Sequence, residues 1–491
     1  MTKKYILNKM DAGMQAKKFP QYIAALSVCL GSVAAGTVLG WTGTISTKLS
    51  AGELNGIYAD QDMLGWIGSF ATLGAMVMCF PIGFICDAIG RKWACLTTIL
   101  PFSIGWLLVI FANGPGMIYT GRFLTGLAGG AFCVAAPLYT SEIAEKEIRG
   151  ALGSYFQLLL TVGILISYIF GSEFSPQVLS IICVFIPVVF GLVFFFQPET
   201  PVYLLKKGDH AGALHSLQRL RGNNYDSEKE LAEIKHHLDK DAENKVSFFQ
   251  AIRTKASKKA LVICMGLMAF QQLSGINAVI FFMGEIFEKA GGSIPYAYAT
   301  IGVGVVQVVA TFISSLVVDK FGRKVLLIGS AFFMCISGVL LGIYFTLSDR
   351  KLVDQTTIDK IGFIPIASLV VFITTFSLGF GPIPWMASSE IMPPEIKSVA
   401  SSLAAMFNWF LAFVVTRFYN NLVSAIGGDV TFYIFAGVSL VGTVFVFIFV
   451  PETKGKSHRE VQDILNGTHR IETKTSDGID NLAYKNDAAF Q

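Results

Sequence analysis

The chain has 491 residues, of which 53% are hydrophobic and only 15% are charged, and its mean hydropathy is +0.58. These values exclude a soluble globular protein of ordinary composition and predict an integral membrane protein. The net charge is +4, but the Lys and Arg residues stand beside apolar runs and alternate with acids. This pattern is typical of membrane orientation and argues against a nucleic-acid partner.

Twelve apolar runs are long enough to cross a bilayer as a helix, which takes about 20 residues. They form two groups of six, at 22–42, 64–85, 94–112, 116–138, 151–171, 178–197, 260–283, 297–318, 325–346, 361–386, 399–423 and 431–450. The first run is itself long enough to span, so we expect no cleavable signal peptide. The runs predict an all-α membrane protein with twelve transmembrane helices.

Basic residues alternate along the connections between the runs. The N-terminal tail and every second connection after it are basic, and these connections hold Arg91, Lys92, Lys146, Arg149, Lys320, Arg323 and Lys324. The remaining connections have few cations. Because basic connections stay on the cytoplasmic side, both chain ends are predicted to be cytoplasmic in a multi-pass protein of the cell membrane.

The chain divides into five predicted segments. Residues 1–18 and 453–491 are cytoplasmic tails, and residues 19–198 and 260–452 are halves of six runs each. Residues 199–259 are strongly charged and predict short amphipathic helices at the cytoplasmic face, for example Ser227–Leu238.

Residues that often carry catalysis or bind metal ions show no useful pattern. The eight cysteines lie in apolar runs, where a thiol packs as a small hydrophobic group, so we expect no disulfide and no metal site. The six histidines lie in polar segments, and the sequence has no Gly-rich phosphate loop of Walker type. The sequence therefore favours neither an enzyme nor an ATP-driven pump, and we expect no cofactor.

The two halves repeat each other in sequence. GFICDAIGRK at 83–92 returns as SLVVDKFGRK at 315–324, and Pro-Glu-Thr at 198–200 returns at 451–453. Glu142 and Arg149 return as Glu390 and Lys397. Repeats in the same order, six runs apart and facing the same side, imply two halves related by an axis along the membrane normal.

Polar residues interrupt the seventh run, in the segment FQQLSGIN at 270–277. An amide without a partner in hydrocarbon is costly, so Gln271, Gln272 and Asn277 should face protein or a water-filled cavity. Gly275 should weaken the helix beside them. Uncharged donors and acceptors at membrane depth suit the hydroxyls of a neutral polyol, but such amides also join neighbouring helices. Both interpretations stay open at this point.

Further motifs stand in a fixed order along the chain. They are Asp-x-x-Gly-Arg-Lys twice, Gly121-Arg122, PLYTSEIAEKEIRG at 137–150, Gln157, FQQLSGINA, GPIPW at 381–385 and PETKG at 451–455. Together they resemble the sugar porter family of the major facilitator superfamily over residues 20–460. The resemblance is greatest to insect trehalose transporter-like proteins and to mammalian facilitative glucose transporters. It implies two pseudo-symmetric six-helix halves and alternating access.

The resemblance also implies a sugar site. Its residues are Gln157, Gln271, Gln272, Asn277, Gln307, Trp385 and Asn408. Amides bind hydroxyls without charge, and an indole face stacks on the C–H face of a sugar ring. Trp385 could instead anchor its helix at the membrane surface, but Pro382 and Pro384 predict a break just before it. For Phe281, Phe376 and Trp409, packing and sugar contact stay open.

Charged residues where the spans leave the membrane resemble the inner gate of the same family. They are Asp87, Arg91, Glu142, Arg149 and Glu199 in the first half, and Asp319, Arg323, Glu390, Lys397 and Glu452 in the second. Ion pairs that join the halves only when the cytoplasmic side is shut would bias a two-state equilibrium. The alternative, charges that only set topology, does not explain carboxylates repeated at fixed offsets.

Three functions fit these features: a passive sugar carrier, a proton–sugar symporter and a non-transporting sugar sensor. A symporter needs a titratable group in the membrane. Proton-coupled relatives carry an Asp in the first span, where this chain has Thr42, and many relatives carry a Glu where it has Ser377. Arg122 should then pair with an acid such as Glu142 or with a backbone carbonyl. A sensor is expected to need a signalling segment, and the tail after Glu452 is short.

The sequence therefore favours a facilitative transporter of a small neutral sugar, either a hexose such as glucose or the disaccharide trehalose. Its expected partners are the sugar and the lipid bilayer. We expect it to function as a monomer.

Overall fold

The computed structural model describes residues 16–145, 147–243, 252–290, 294–393, 396–456 and 458–466. The described part therefore leaves out most of both predicted tails, Lys146 and the side chain of Asp319. The helices are α1 (Phe19–Ser50), α2 (Gln61–Met78), α3 (Pro81–Ile89), α4 (Arg91–Thr97), α5 (Ile99–Ile110), α6 (Pro115–Ile143), α7 (Arg149–Glu173), α8 (Pro176–Phe194), α9 (Pro201–Lys206), α10 (His210–Arg221), α11 (Ser227–Glu243), α12 (Lys255–Leu273), α13 (Ile276–Ala290), α14 (Tyr296–Phe321), α15 (Arg323–Asp349), α16 (Gln355–Ile361), α17 (Ile364–Leu378), α18 (Ile383–Ile391), α19 (Lys397–Ile426), α20 (Gly428–Phe449) and α21 (His458–Asn466).

Eleven helical segments in the described ranges are long and apolar enough to cross a membrane, and the bent pair α2–α3 makes twelve. Pro81 opens α3 after a bend of 52°, because proline has no N–H to continue the preceding helix. Six spans precede the helices α9 to α11 and six follow them. The prediction of an all-α protein with twelve transmembrane helices is confirmed.

Helices α9 to α11 lie at one end of the bundle, which we call the linker face; the other end is the opposite face. Arg221 on α10 donates to the carbonyl of Ile143 at the end of α6, at 2.8 Å. Its own carbonyl accepts from the backbone N–H of Lys17, just before α1, at 2.8 Å. The predicted amphipathic helix at 227–238 lies within α11. These helices are thus bound to the first half.

Glycine allows the closest helix approach inside the first half. Gly36 on α1 and Gly163 on α7 meet so tightly that a Cβ on Gly36 would overlap the Leu160 carbonyl. With no side chain between them, the two helices pack backbone against backbone.

Contacts between the halves lie toward the opposite face. α1 packs on α13, α2 on α19, and α7 on α14. Tyr168 on α7 donates to the carbonyl of Ile280 on α13 at 2.9 Å, and Arg417 on α19 pairs with Asp62 on α2 at 2.6 Å. The structure is therefore closed at the opposite face.

Candidate functional site

Two spans of the second half are broken helices. α12 ends at Leu273 and α13 begins at Ile276, with Gly275 between them at φ +87°. This left-handed conformation is one that glycine adopts without strain. α17 ends at Leu378 and α18 begins at Ile383, after a stretch that ends with Pro382. Both breaks occur where the sequence predicts them.

The amides of Gln271, Gln272, Asn277 and Asn408 form one connected network. Asn277 Nδ2 donates to Gln272 Oε1 at 2.6 Å, and Gln272 Nε2 donates to Asn408 Oδ1 at 2.9 Å. Asn408 Nδ2 donates in turn to Gln271 Oε1 at 2.7 Å. All four residues are buried. We call this set the amide network; it brings together four of the seven predicted binding residues.

The broken helix α17–α18 completes the amide network. Gln271 Nε2 donates to the carbonyls of Phe380 and Gly381, at 2.6 and 2.9 Å. These carbonyls lie between the two helices, where no intrahelical N–H reaches them. The two breaks are thus tied together by one side chain.

The other three predicted binding residues make no described hydrogen bond to the network. Gln157 is half-buried on α7, and Gln307 is buried on α14, which packs against α7. Trp385 is half-buried on α18 and packs in an apolar cluster with Trp409 of α19 and Cys79, at the end of α2. That cluster joins the two halves.

The structure distinguishes the three aromatic residues for which the sequence left packing and sugar contact open. Phe281 is fully buried, and its ring lies where a Cβ on Gly68 of α2 would approach within 3.2 Å, so it serves packing between the halves. Phe376 is buried beside Gly381. Trp409 differs from both, because its indole N–H is buried without a hydrogen-bond partner. A buried donor of this kind is suited to a ligand hydroxyl.

Arg122 bonds to backbone carbonyls, the second of the two kinds of partner predicted for it. It is fully buried, and its guanidinium donates to the carbonyls of Val38 and Ile67, at 2.8 and 3.2 Å. The cation also lies over the ring of Trp41, with 5.2 Å between the guanidinium carbon and the ring centroid. Backbone carbonyls and an aromatic face therefore hold this cation, while its Nη1 is buried without a hydrogen-bond partner.

Four of the five predicted gate residues of the first half form a compact cluster at the linker face. Arg91 Nε lies 3.0 Å from the Glu142 carboxylate, and its Nη1 lies 3.0 Å from Asp87. Glu199 accepts from the backbone N–H groups of Arg91 and Lys92, at 3.1 and 3.0 Å. A carboxylate at the start of α4 satisfies N–H groups that have no partner in the helix. We call Asp87, Arg91, Glu142 and Glu199 the first-half cluster.

The second half repeats this arrangement. Arg323 pairs with Glu390 at 3.0 Å, and Glu452 accepts from the backbone N–H of Arg323 at 3.0 Å. Thr453 donates to Glu390 just as Thr200 donates to Glu142. We call Arg323, Glu390 and Glu452 the second-half cluster. Its Arg side chain is 13% exposed, against 2% for Arg91.

The two repeated glutamates differ in their electrostatics. Burial raises the pKa of Glu199, and its backbone hydrogen bonds only partly oppose this. Burial also acts to raise the pKa of Glu452, but backbone N–H donors, led by Lys454 and Arg323, outweigh it and the pKa is lowered. Acidification therefore protonates Glu199 before Glu452.

The described gate pairs lie within single halves. Arg149 donates to the Ala144 carbonyl at 3.3 Å, and Lys397 is exposed at the start of α19. Ion pairs across the halves at the linker face remain a prediction for the conformation in which that face is closed.

Glu285 on α13 is a membrane carboxylate that the sequence reading missed. The seventh run was expected to end at 283, whereas the span extends to Ala290. Glu285 is only 5% exposed. An acid just beyond an apolar run was the available signal. The two positions weighed from the sequence, Thr42 and Ser377, lie on other spans.

All eight cysteines are free thiols. Among the described residues, no group of three or more His, Cys, Asp or Glu side chains is arranged to hold a metal ion.

Comparison with known proteins gives consistent matches. A family model described as "Sugar (and other) transporter" matches residues 24–465. The chain is 37% identical over 453 residues to the facilitated trehalose transporter Tret1 of Culex quinquefasciatus, covering 92% of this chain and 87% of that one. It is 37% identical over 451 residues to Tret1 of Anopheles gambiae, covering 92% of this chain but 56% of that longer relative.

A solved structure shows the same fold. The major facilitator superfamily proton:xylose symporter XylE, bound to 6-bromo-6-deoxy-D-glucose, superposes with a TM-score of 0.71 at 24% sequence identity. The match covers 90% of this chain and 99% of that one. The predicted resemblance is confirmed: the chain belongs to the sugar transporter family and has the major facilitator fold.

Proposed function

We propose that this protein carries a small neutral sugar across a cell membrane by facilitated diffusion with alternating access. The amide network is the observation that carries the proposal. It places four uncharged amides, buried at membrane depth, where two helices break. Such groups can give and accept hydrogen bonds without the cost of a buried charge.

Sugar hydroxyls can replace the bonds that the amides make to one another. Each amide offers two N–H donors and two acceptor positions, so Gln272 and Asn408 can exchange a partner without leaving a polar atom unsatisfied. Trp385 packs in one cluster with Trp409, whose unpaired indole N–H follows Asn408 directly along α19. Gln157 and Gln307 would complete the site from α7 and α14.

Alternating access is supported by how the halves meet. They contact one another toward the opposite face. At the linker face, α7 begins with Gly150 and Gly153, around which a Cβ would meet open space. If the linker face is cytoplasmic, as the basic connections predict, this conformation is open to the inside. The two gate clusters would then exchange contacts across the halves when that side closes.

Passive transport is favoured over proton coupling and over a sensor role. Relatives at 37% identity are named facilitated transporters, and uncharged Thr42 and Ser377 stand where symporters and other relatives carry acids. The candidate sugars are trehalose and hexoses such as glucose. Similarity to named transporters supports a carrier over an enzyme, and a site drawn from one chain supports function as a monomer.

Flux in proteoliposomes tests this function. Glucose, fructose and trehalose are supplied in parallel, and at least one should equilibrate across the membrane in either direction. With the membrane potential clamped and no sugar gradient, a pH gradient should drive no accumulation. Uphill uptake would establish a symporter, and sugar binding without flux would establish a sensor. A C-terminal tag reached by antibody in intact cells would overturn the orientation.

A further inference from the structure

Glu285 is buried in the membrane without a partner. It lies on α13, inside the span 255–290, and is 5% exposed. Both carboxylate oxygens are buried and neither makes a hydrogen bond. An ionised carboxylate in such a place is expensive, because nothing replaces the water it loses. The neutral, protonated acid is the form that this enclosure accepts.

The enclosure is made where the two halves close. Next to Glu285, Gly284 approaches α1 so closely that a Cβ there would lie 2.7 Å from the Gly43 carbonyl. The Ser46 hydroxyl of α1 is the near polar neighbour of the carboxylate, and it too is buried without a hydrogen bond. Glu285 is therefore covered by the first half only while α1 and α13 stay together.

The second half covers the other side of the carboxylate. Tyr419 of α19, which lies in the same half as Glu285, is a neighbour of the carboxylate, and its ring stacks on Phe282 with 5.2 Å between centroids. A phenol can donate a hydrogen bond but carries no charge near neutral pH. The cation nearest to Tyr419 along α19 is Arg417, which is already paired with Asp62 of α2 at 2.6 Å.

The charged and titratable groups around Glu285 do not neutralise it. On its own helix Glu288 and Lys289 are exposed and oppose each other in sign. On α1, Lys48 is bound to the carbonyls of Gly171 and Ser172, at 2.9 Å each.

The remaining helices packed on α13 add no charge at this site. The phenol of Tyr296 on α14 is bonded to the Thr47 hydroxyl at 3.2 Å. α17 carries no titratable side chain along its length, and the lysines of α12 lie at the distant, linker-face end of that helix.

We propose that Glu285 is a proton-controlled latch on the gate at the opposite face. While the gate is shut, Glu285 holds a proton. When α13 separates from α1, water enters, the O–H bond breaks, and the proton passes to that water; closing the gate requires its return. The proposal rests on the proposed function and orientation, which make the opposite face extracellular. External protons then favour the closed gate.

This latch differs from proton coupling. A coupling group must exchange its proton with both sides of the membrane as the site alternates. Glu285 is enclosed while the structure is open toward the linker face, so its proton leaves and returns on one side only. The latch changes how readily the gate opens, and it drives no accumulation of sugar.

Sugar uptake measured against external pH tests the latch. Internal pH and membrane potential are held fixed while external pH is lowered from about 8 to about 5, a range that stays above the ordinary glutamate pKa of about 4.3, so that only the enclosed form binds the proton. Wild-type uptake should fall as the medium becomes acidic, by at most about tenfold per pH unit, because one proton binds per closure. Glu285→Gln should remove this dependence. Glu288→Gln, the matched control on the same helix, should keep it.

Each other outcome decides the matter. The latch is overturned if wild-type uptake does not change with external pH, or if uptake by Glu285→Gln still depends on external pH. If Glu285→Gln does not reach the membrane, Glu285→Ser takes its place, since serine neither titrates nor overfills the site. Absence of flux at every pH would instead overturn the proposed function. Uphill uptake driven by acid outside would replace the latch with coupling.

Discussion

The first and second halves differ at spans that correspond in order. α1 and α6 run unbroken for 32 and 29 residues, although Pro137 lies inside α6. Their counterparts in the second half are the broken pairs α12–α13 and α17–α18. Both halves nevertheless keep the same charged cluster at the linker face. Duplication has preserved the scaffold, while the buried hydrogen-bonding groups are concentrated in one half.

Breaking the two charged clusters should give the largest effect and should separate the halves. Arg91→Ala leaves Glu142 buried without its cation, which typically costs about 3–5 kcal/mol in the free energy of unfolding. Arg323→Ala should cost less, about 1–3 kcal/mol, because the Arg323 side chain is more exposed. Denaturant unfolding in detergent measures both, with the exposed Arg253→Ala as control. Equal losses at Arg91 and Arg323 would contradict the comparison.

The next largest effect should be on sugar affinity, which should fall further in variants of the second half than in a variant of the first half. Gln272→Ala removes a donor to Asn408 and an acceptor from Asn277, a loss of about 1–3 kcal/mol, or roughly ten- to hundredfold in affinity. Gln271→Ala should behave similarly. Gln157→Ala in the first half should cost only a few fold, about 1 kcal/mol or less, because it makes no described bond to the amide network. Equilibrium sugar binding to purified protein measures this, and unchanged affinity in both second-half variants would return the amides to helix packing.

Restoring continuity at a broken helix should have a smaller cost. Gly275→Ala forces a left-handed φ on alanine, at about 1–2 kcal/mol, and brings its Cβ against the Phe435 ring. We expect lower thermal stability and slower sugar exchange. Gly302→Ala on α14, where a Cβ meets open space, is the control and should lose neither. A Gly275→Ala protein as stable and active as this control would show that the break is incidental.

The smallest effect concerns pH and differs between the clusters in sign. The pKa of Glu199 is raised in the folded protein. Its ionisation therefore costs stability once the pH rises above the pKa of this side chain in the unfolded chain, which is about 4.3. The pKa of Glu452 is lowered, so its contribution is present at higher pH and lost as pH falls through the folded value.

Melting temperatures measured across acid pH test these signs. Relative to wild type, Glu199→Gln should gain stability as pH rises, and Glu452→Gln should lose it. Parallel curves for the two variants would mean that the clusters are electrostatically alike.

Local patterns predicted the spans and the two helix breaks because they depend on nearby residues. Apolar runs of bilayer length specify spans, and Gly275 and Pro382 act on their own backbone. The polar identity of Gln271, Gln272 and Asn277 likewise shows in the sequence, because a bilayer leaves amides few acceptable environments.

The partners of these residues could not be predicted in the same way. The contact of Gln271 with Phe380 and Gly381 spans more than a hundred positions, and nothing local specifies it. Arg122 could have met an acid or a carbonyl with equal chemical sense. Glu285 escaped because its setting depends on the fold, which covers a residue that the sequence places at the end of an apolar run.

Each half has a helix bound to it outside the membrane spans, α11 on the first half and α21 on the second. α10 and α11 are joined by the ion pair of Arg221 and Glu230, at 2.9 Å, and Arg221 also binds the end of α6. α21 is bound to the second half through Gln462, which donates to the Ile391 carbonyl at 2.7 Å. Of a pair of fluorophores, one on α11 and one on α21, each would therefore move with its own half. Energy transfer between them would follow the rocking of the halves from outside the bilayer, with no label in the sugar path.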